Sequence, residues 1–296
     1  MTHRVAFTTD PAAFLAEAED ALAADPVVGT VMATVTSRML GQPLPADRPR
    51  WWAVVRDEEG QIAGIAMRTA PQPPFPMFVL PMADRAALAL ARAIHERGET
   101  VGGLNGSLPA AEVMAGELAR LQGDTVEVAV HTRLFELDQL VAPVGVPGSL
   151  RQATLDDFDL ALDWVRRFMA DADEQAGREP GTGHGRVDIE PDDLRRRIEQ
   201  ECYWFWLDES GERVHLTGAN PPSYGVARIG PVYTPPEQRR KGYAGAAVAQ
   251  VSQIFLDRGV RVCLYTDQAN PTSNGVYQAI GYRPVVDQVN LRIVAS

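Results

Sequence analysis

Val232-Tyr-Thr-Pro-Pro-Glu-Gln-Arg-Arg-Lys-Gly-Tyr-Ala-Gly245 runs from an apolar strand, through two prolines, into a helix whose apolar stripe includes Val248, Val251 and Phe255. The amides at that helix start have no preceding turn to pair with. Several N–H groups aimed at one point, backed by the helix dipole and with Gly242 leaving room for approach, form a site for phosphate oxygens. Arg239, Arg240 and Lys241 add positive charge at the end where the dipole disfavours it, so the cluster calls for an anion. A solvated basic turn is the plain alternative.

The rest of the chain makes that cluster stand out. Its 296 residues carry 39 Asp and Glu against 28 Lys and Arg, and Lys241 is the one lysine among those cations. A formal charge of −11 repels a nucleic acid backbone, so nucleic acid is not expected as a partner. Hydrophobic residues make up 45%, enough for a buried core, and the length suits two domains. Cys202 and Cys263 lie far apart with no CxxC, and the five histidines lack ligand spacing, so neither a disulfide framework nor a metal site is signalled. The first ten residues do not read as a signal peptide, and no apolar run is long enough to span a membrane. A cytoplasmic protein with no membrane partner is expected.

Two prolines and two glycines within Ala142–Ser149 mark a boundary between domains 1–143 and 149–296. The halves share an order of elements. Trp51–Val55, the turn Asp57–Gly60 and Ile62–Met67 read as a hairpin, and Tyr203–Leu207, Asp208–Gly211 and Val214–Ala219 repeat it. A strand follows (Met77–Leu80; Gly225–Tyr233), then a helix ending in glycine (Ala83–Gly98; Gly245–Gly259), then a strand (Val101–Leu104; Val262–Thr266). A short helix and a β-rich run close each half (Thr132–Leu137; Val289–Val294). Ancient duplication and chance agreement among α/β proteins both account for such an order. The offset between matched positions grows from 151 at Gly60 and Gly211 to 161 at Gly98 and Gly259, so the second half carries extra residues between strand and helix. The basic loop lies in them.

Arg239-Arg-Lys-Gly242-Tyr-Ala244 resembles the Q/R-x-x-G-x-G/A pyrophosphate loop of the Gcn5-related N-acetyltransferases, and Asn270-Pro-Thr-Ser-Asn274-Gly-Val-Tyr277-Gln-Ala-Ile-Gly281-Tyr is similar to that family's N-x-x-S-N-x-x-x-Y-x-x-x-G-[YF] segment. The likeness covers Ser149–Ile293 and looks nearest to the glycine N-acyltransferase-like bacterial subgroup; the first half shares element order but lacks the loop. It implies an α/β fold of tandem acetyltransferase-type domains, each a mixed, mostly antiparallel sheet flanked by helices. The first would be a degenerate copy. It also implies acetyl-CoA as co-substrate, with no metal. Gly230-Pro231 marks a bulge, which in the family opens a slot for the pantetheine arm. There Val232, Tyr233 and Thr234 would pair with the arm, and Arg239, Arg240, Lys241, Gly242, Tyr243, Ala244 and Gly245 would hold the pyrophosphate. Asn270 and Asn274 would line the cofactor site, although asparagines there also serve as caps. Tyr277 would protonate the departing thiolate, or else be a core aromatic.

The implied reaction is direct acetyl transfer to a primary amine, on a small molecule or a peptide. A non-catalytic acyl-CoA sensor is the rival. No acid or histidine lies on Gly225–Tyr233 to act as base; Asp267 through a water, His215, His184 or solvent remain. The Gly181–Gly185 run lacks the strand and third glycine of a nucleotide motif and reads as a loop between a first helix and the helix Asp192–Gln200.

Overall fold

In the computed structural model, which describes residues 3–179 and 189–296, the chain opens with β1 (Arg4–Thr8), α1 (Pro11–Ala24) and α2 (Thr30–Arg38). Asp10 caps α1 by accepting the Ala12 N–H at 2.9 Å. The expected hairpin follows as β2 (Trp51–Arg56) and β3 (Ile62–Arg68), its turn fixed by the Gln61 N–H on Asp57 at 2.8 Å. Next come β4 (Met77–Val79), α3 (Asp84–Glu96), β5 (Gly103–Ser107), α4 (Ala110–Gln122) and β6 (Asp124–Leu137). β5 starts later than its apolar residues suggest. The Val101 N–H and carbonyl are both taken by the Gln122 side chain, at 2.9 and 3.1 Å, rather than by a neighbouring strand.

The second series is β7 (Ser149–Gln152), α5 (Phe158–Gln175), α6 (Pro191–Glu199), β8 (Tyr203–Leu207), β9 (Arg213–Ala219), β10 (Val226–Tyr233), α7 (Tyr243–Leu256), β11 (Arg261–Asp267), α8 (Pro271–Ala279) and β12 (Tyr282–Ala295). The run Tyr-Trp-Phe-Trp of β8 is buried throughout because both faces are covered. Tyr203 and Phe205 pack with Trp164 and Leu194 from the α5/α6 side, and Trp204 packs with Val251 and Phe255 of α7.

Two compact units result, and they do not follow the linear division at residues 143 and 149. One comprises the described residues through Thr132 together with Val286–Ser296; the other is Arg133–Val285. The first has strand order β1-β2-β3-β4-β5-β12, and the second β6-β11-β10-β9-β8-β7. The closing runs are thus exchanged. Thr132–Leu137 does not close the first half, because Phe135 and Leu137 bury among Ala227, Ile229 and Leu264. Val289–Val294 pairs antiparallel with β5 through Val289↔Gly106 and Leu291↔Leu104, placing Val289, Leu291 and Ile293 in the first unit's core. Within each unit the strands pair mostly antiparallel, with a parallel pair in the first, β4 with β5, and in the second, β10 with β11.

Candidate functional site

The parallel pairing of β10 and β11 extends only from Val226↔Arg261 to Ile229↔Leu264. The register of β10 against β9 then shifts between Ile229 and Val232, across Gly230-Pro231, as expected where a proline without an N–H interrupts a strand. β10 follows β9 onward through Val232↔Thr217 and Tyr233↔Leu216, while β11 continues to Asp267. Residues 230–233 and 265–267 therefore have no register across the gap where the strands part.

At the end of β10 the chain makes one short turn, with Gln238 N–H on the Pro235 carbonyl at 2.9 Å and Arg239 N–H on that of Pro236 at 3.3 Å. The helix ladder begins with Ala246 N–H on the Gly242 carbonyl at 3.1 Å. Between them, the amides of Arg240, Lys241, Gly242, Tyr243, Ala244 and Gly245 have no acceptor among the described residues. Gly242 is at φ 84°, where a side chain is strained, and a Cβ there would meet Val146 Cγ2 at 3.1 Å. Its glycine requirement therefore includes packing against the inter-half segment.

The three cations differ. Arg239 is held by Asp171, its Nη2 donating to Oδ2 at 2.5 Å, and its Nε donates to the Thr234 carbonyl at 3.0 Å. Lys241 donates to Gln238 Oε1 at 2.7 Å and lies 5.9 Å from the Tyr243 ring. Arg240 is exposed, at φ 66°, and has no side-chain partner among the described residues.

α8 follows β11 directly. Asn270 caps it, accepting the Ser273 N–H at 3.0 Å, and Pro271 occupies its first turn. Asn274 accepts from Thr266 Oγ1 at 2.6 Å and donates to the carbonyls of Asn270 and Asp267 at 2.8 and 3.0 Å. Asn274 thus fastens α8 to the end of β11. Tyr277 is 7% exposed, packs edge-on to Tyr282 with centroids 6.1 Å apart, and its hydroxyl has no hydrogen-bond partner among the described residues. Burial pushes its pKa well above the usual phenol value. At Gly281, φ is 106° and a Cβ would strike the Gln139 carbonyl, so the glycine ending this segment is sterically required.

Sequence reasoning missed the residues that α5 contributes. The helix runs past Asp171 to Gln175. Asp171 accepts from Tyr233 at 3.1 Å as well as from Arg239; Arg178 pairs with Asp267; and Asn270 donates to Gln175 at 3.5 Å. A lone acid near a helix end carries no signal of partners more than sixty positions away. Of the alternatives left open for the base, His215 is removed. His215 is fully buried with its two ring nitrogens 2.7 Å from Thr234 Oγ1 and Thr217 Oγ1, and burial lowers its pKa to about 3, so it does not open into the gap as a base. His184 and the Gly181–Gly185 run lie outside the described residues.

In the first unit only Leu80–Ala83 connects β4 to α3, with no cation, and Asp84 opens the helix. That start repels a phosphate. Among the described residues no group of His, Cys, Asp and Glu is arranged to hold a metal, and no helix is long and apolar enough to cross a membrane. A cavity of about 200 Å³ lined by Cys202, Trp204, Asn220, Phe255 and Arg258 shares no residue with the gap, Tyr277 or the start of α7.

A parted parallel strand pair beside a helix start with unpaired amides is the arrangement that the resemblance to the GCN5-related N-acetyltransferases implies. Residues 214–292 match the family model described as FR47-like protein. Among solved structures the chain is similar to a GCN5-related N-acetyltransferase from Sphaerobacter thermophilus, at 16% identity and TM-score 0.57, covering 99% of this chain and 96% of that one. It is similar too to a tandem GNAT protein from the clavulanic acid biosynthesis pathway, at 12% identity and TM-score 0.58, covering 100% and 99%. A GCN5-related N-acetyltransferase from Kribbella flavida gives 14% identity and TM-score 0.54, covering 93% and 96%. These likenesses show a tandem fold. No curated protein sequence matches.

Proposed function

We propose that this chain is an acetyl-CoA-dependent N-acetyltransferase acting on a primary amine by direct transfer, with its chemistry in the second half and a degenerate first half without a pyrophosphate loop. The carrying observation is the gap between β10 and β11 beside the unpaired amides of residues 240–245. Those amides suit a pyrophosphate, and Arg240 and Lys241 at the exposed turn add charge. Arg239, fixed between Asp171 and Thr234, shapes the loop.

Val232 and Tyr233 border the gap where an extended arm adds as a strand does, and a backbone amide turned to that gap would support the oxygen of the thioester carbonyl. In the reaction the amine nitrogen bonds to the carbonyl carbon, the carbon–sulfur bond breaks, and the electron pair leaves on sulfur. Tyr277 gives that sulfur its proton, and the proton lost by the amine restores the phenol through solvent. Solvent also supplies free amine, since Asp267 is bound to Arg178 and His215 is sealed. The test is thiol release from acetyl-CoA with a panel of amines, alongside calorimetric binding. Turnover supports the reading. Tight acetyl-CoA binding with no turnover of any amine would replace it with an acyl-CoA sensor.

A further inference from the structure

One carboxylate touches both parts of the proposed cofactor site. Asp171, in the last turns of α5, accepts on the same oxygen from the Tyr233 hydroxyl at 3.1 Å and from Arg239 Nη2 at 2.5 Å. Tyr233 ends β10 beside the gap, and Arg239 precedes the run of unpaired amides at 240–245. The chain between them has few ties of its own, because Pro235 and Pro236 have no N–H and a single turn spans the rest. Side chains hold it instead. Arg239 Nε donates to the Thr234 carbonyl at 3.0 Å, and Thr234 Oγ1 lies 2.7 Å from Nδ1 of the buried His215. The Tyr233 ring packs 5.8 Å from that of Trp164, which is also on α5. Burial, with the Asp171 charge beside it, pushes the Tyr233 pKa up to about 12, so the phenol stays a donor at neutral pH.

Charge and placement pull in opposite directions here. A free carboxylate next to a phosphate site repels the ligand. The side chains of Asp171 and Arg239 are only 18% and 26% exposed, and the carboxylate meets the guanidinium at 2.5 Å, so its charge is taken up within the pair. What remains is placement. The oxygen that fixes the end of the strand also fixes the start of the loop, and it thereby sets the spacing between a slot for a pantetheine arm and a seat for a pyrophosphate. A ligand with two linked parts gains over either fragment only where the spacing of its two seats matches its own span.

We propose that Asp171 is a positioning residue that holds these two seats in register, so that the advantage of whole acetyl-CoA over its pantetheine fragment depends on it. This rests on the acetyl-transfer reading above. The experiment compares acetyl-CoA with S-acetylpantetheine, which has the arm and the thioester but no pyrophosphate, as donors to one amine. It uses the full chain, Asp171→Asn, Arg239→Gln and the double variant. In the unaltered protein kcat/KM favours acetyl-CoA. In Asp171→Asn that ratio falls roughly 10- to 100-fold, the scale of a hydrogen bond to a charged group, through KM for acetyl-CoA, with kcat and the use of S-acetylpantetheine unchanged. Arg239→Gln lowers the ratio likewise, and adding Asp171→Asn to it lowers the ratio no further, because the two side chains act as one unit. A ratio unmoved in Asp171→Asn, an equal loss with both donors, or losses that multiply in the double variant overturns the proposal. So does tighter acetyl-CoA binding by Asp171→Asn, which would make Asp171 a competitor for Arg239 rather than its support.

A second readout does not depend on turnover. Calorimetric titration with acetyl-CoA should show Kd weakened in Asp171→Asn by the same factor. If that weakening is present while no amine is acetylated, the placement stands and the acetyl-transfer reading falls. An unmoved Kd with turnover intact does the reverse, and no acetyl-CoA binding by the unaltered chain overturns both. Asn keeps the shape of Asp171 and an oxygen for the Tyr233 hydroxyl, so the fold should hold, with Tm as the check. If Asp171→Asn does not fold, the donor comparison in Arg239→Gln decides, and an unmoved ratio there overturns the proposal.

Discussion

Replacing Tyr277 by Phe removes one oxygen from a ring held edge-on to Tyr282, 6.1 Å away, within the cluster that includes Ile280 and Val251. The oxygen has no hydrogen-bond partner among the described residues, so its loss orphans no buried group. The stability change should therefore be small, within about 1 kcal/mol, or slightly favourable. The rate should behave differently. Burial raises the phenol pKa, so the proton is retained at neutral pH and is available when charge appears on sulfur. General acids contribute roughly 100- to 10,000-fold, or about 2.7–5.4 kcal/mol at ~1.36 kcal/mol per tenfold. Single-turnover thiol release at saturating amine, thermal unfolding and acetyl-CoA calorimetry should together show kcat down by about that factor, with Tm and Kd nearly unchanged. Full kcat with chemistry rate-limiting would refute the proton-donor role. A large fall in Tm would refute the unpartnered hydroxyl.

Acid unfolding should show the His215 imidazole: its folded pKa of about 3 lies below the unfolded value near ~6.5, so the unfolded chain takes up the proton first and stability falls as pH drops through that window. Denaturant titrations from pH 7 to 3 should show this loss, a few kcal/mol at ~1.4 kcal/mol per tenfold, flattened in His215→Gln, whose kcat/KM keeps its ascending limb if solvent supplies the free amine. Deleting 286–296 takes Val289, Leu291 and Ile293 from the first unit's core, about 5–9 kcal/mol at ~1.5–3 kcal/mol per side chain, comparable with a whole domain's stability. Limited proteolysis should then cleave first within residues 3–132; a protected first unit would contradict the strand exchange. Gly281→Ala combines a left-handed φ with a clash on the Gln139 carbonyl and should lower Tm sharply or yield insoluble protein, whereas Gly98→Ala, with open space around it, should cost about 1 kcal/mol. Acetyl-CoA calorimetry should give one site per chain, and a stoichiometry of two would remove the degenerate-copy idea.

Local chemistry carried much of the molecule. Asp57-Glu-Glu-Gly60 and Asp208-Glu-Ser-Gly211 form their turns because an aspartate accepts nearby backbone N–H groups, as Asp208 does from Ser210 at 2.9 Å and Glu212 at 3.0 Å. Asn270-Pro271 announces the start of α8 because cap and first-turn residues are selected within a few positions of each other. Gly230-Pro231 forecasts the shift in β10 because a missing N–H breaks a ladder whatever lies alongside. The basic loop before α7 was visible for the same reason.

Tertiary structure alone decided matters that depend on partners distant in sequence. Thr132–Leu137 and Val289–Val294 are alike as β-rich runs, and nothing local states which sheet each joins; the exchange is settled by which core the alternate apolar residues fill. Asp171 reaches Arg239 across 68 positions, and Arg178 reaches Asp267 across 89. His215 has the same sequence appearance exposed or sealed, and only the threonines packed on both ring nitrogens make it a neutral core residue. Arg197 likewise passes as one among 27 arginines until the fold buries it against the Tyr203 ring with its Nη2 on the Ala219 carbonyl. A charge becomes informative when desolvation leaves it without water and without a counterion, and desolvation is a property of the packed chain.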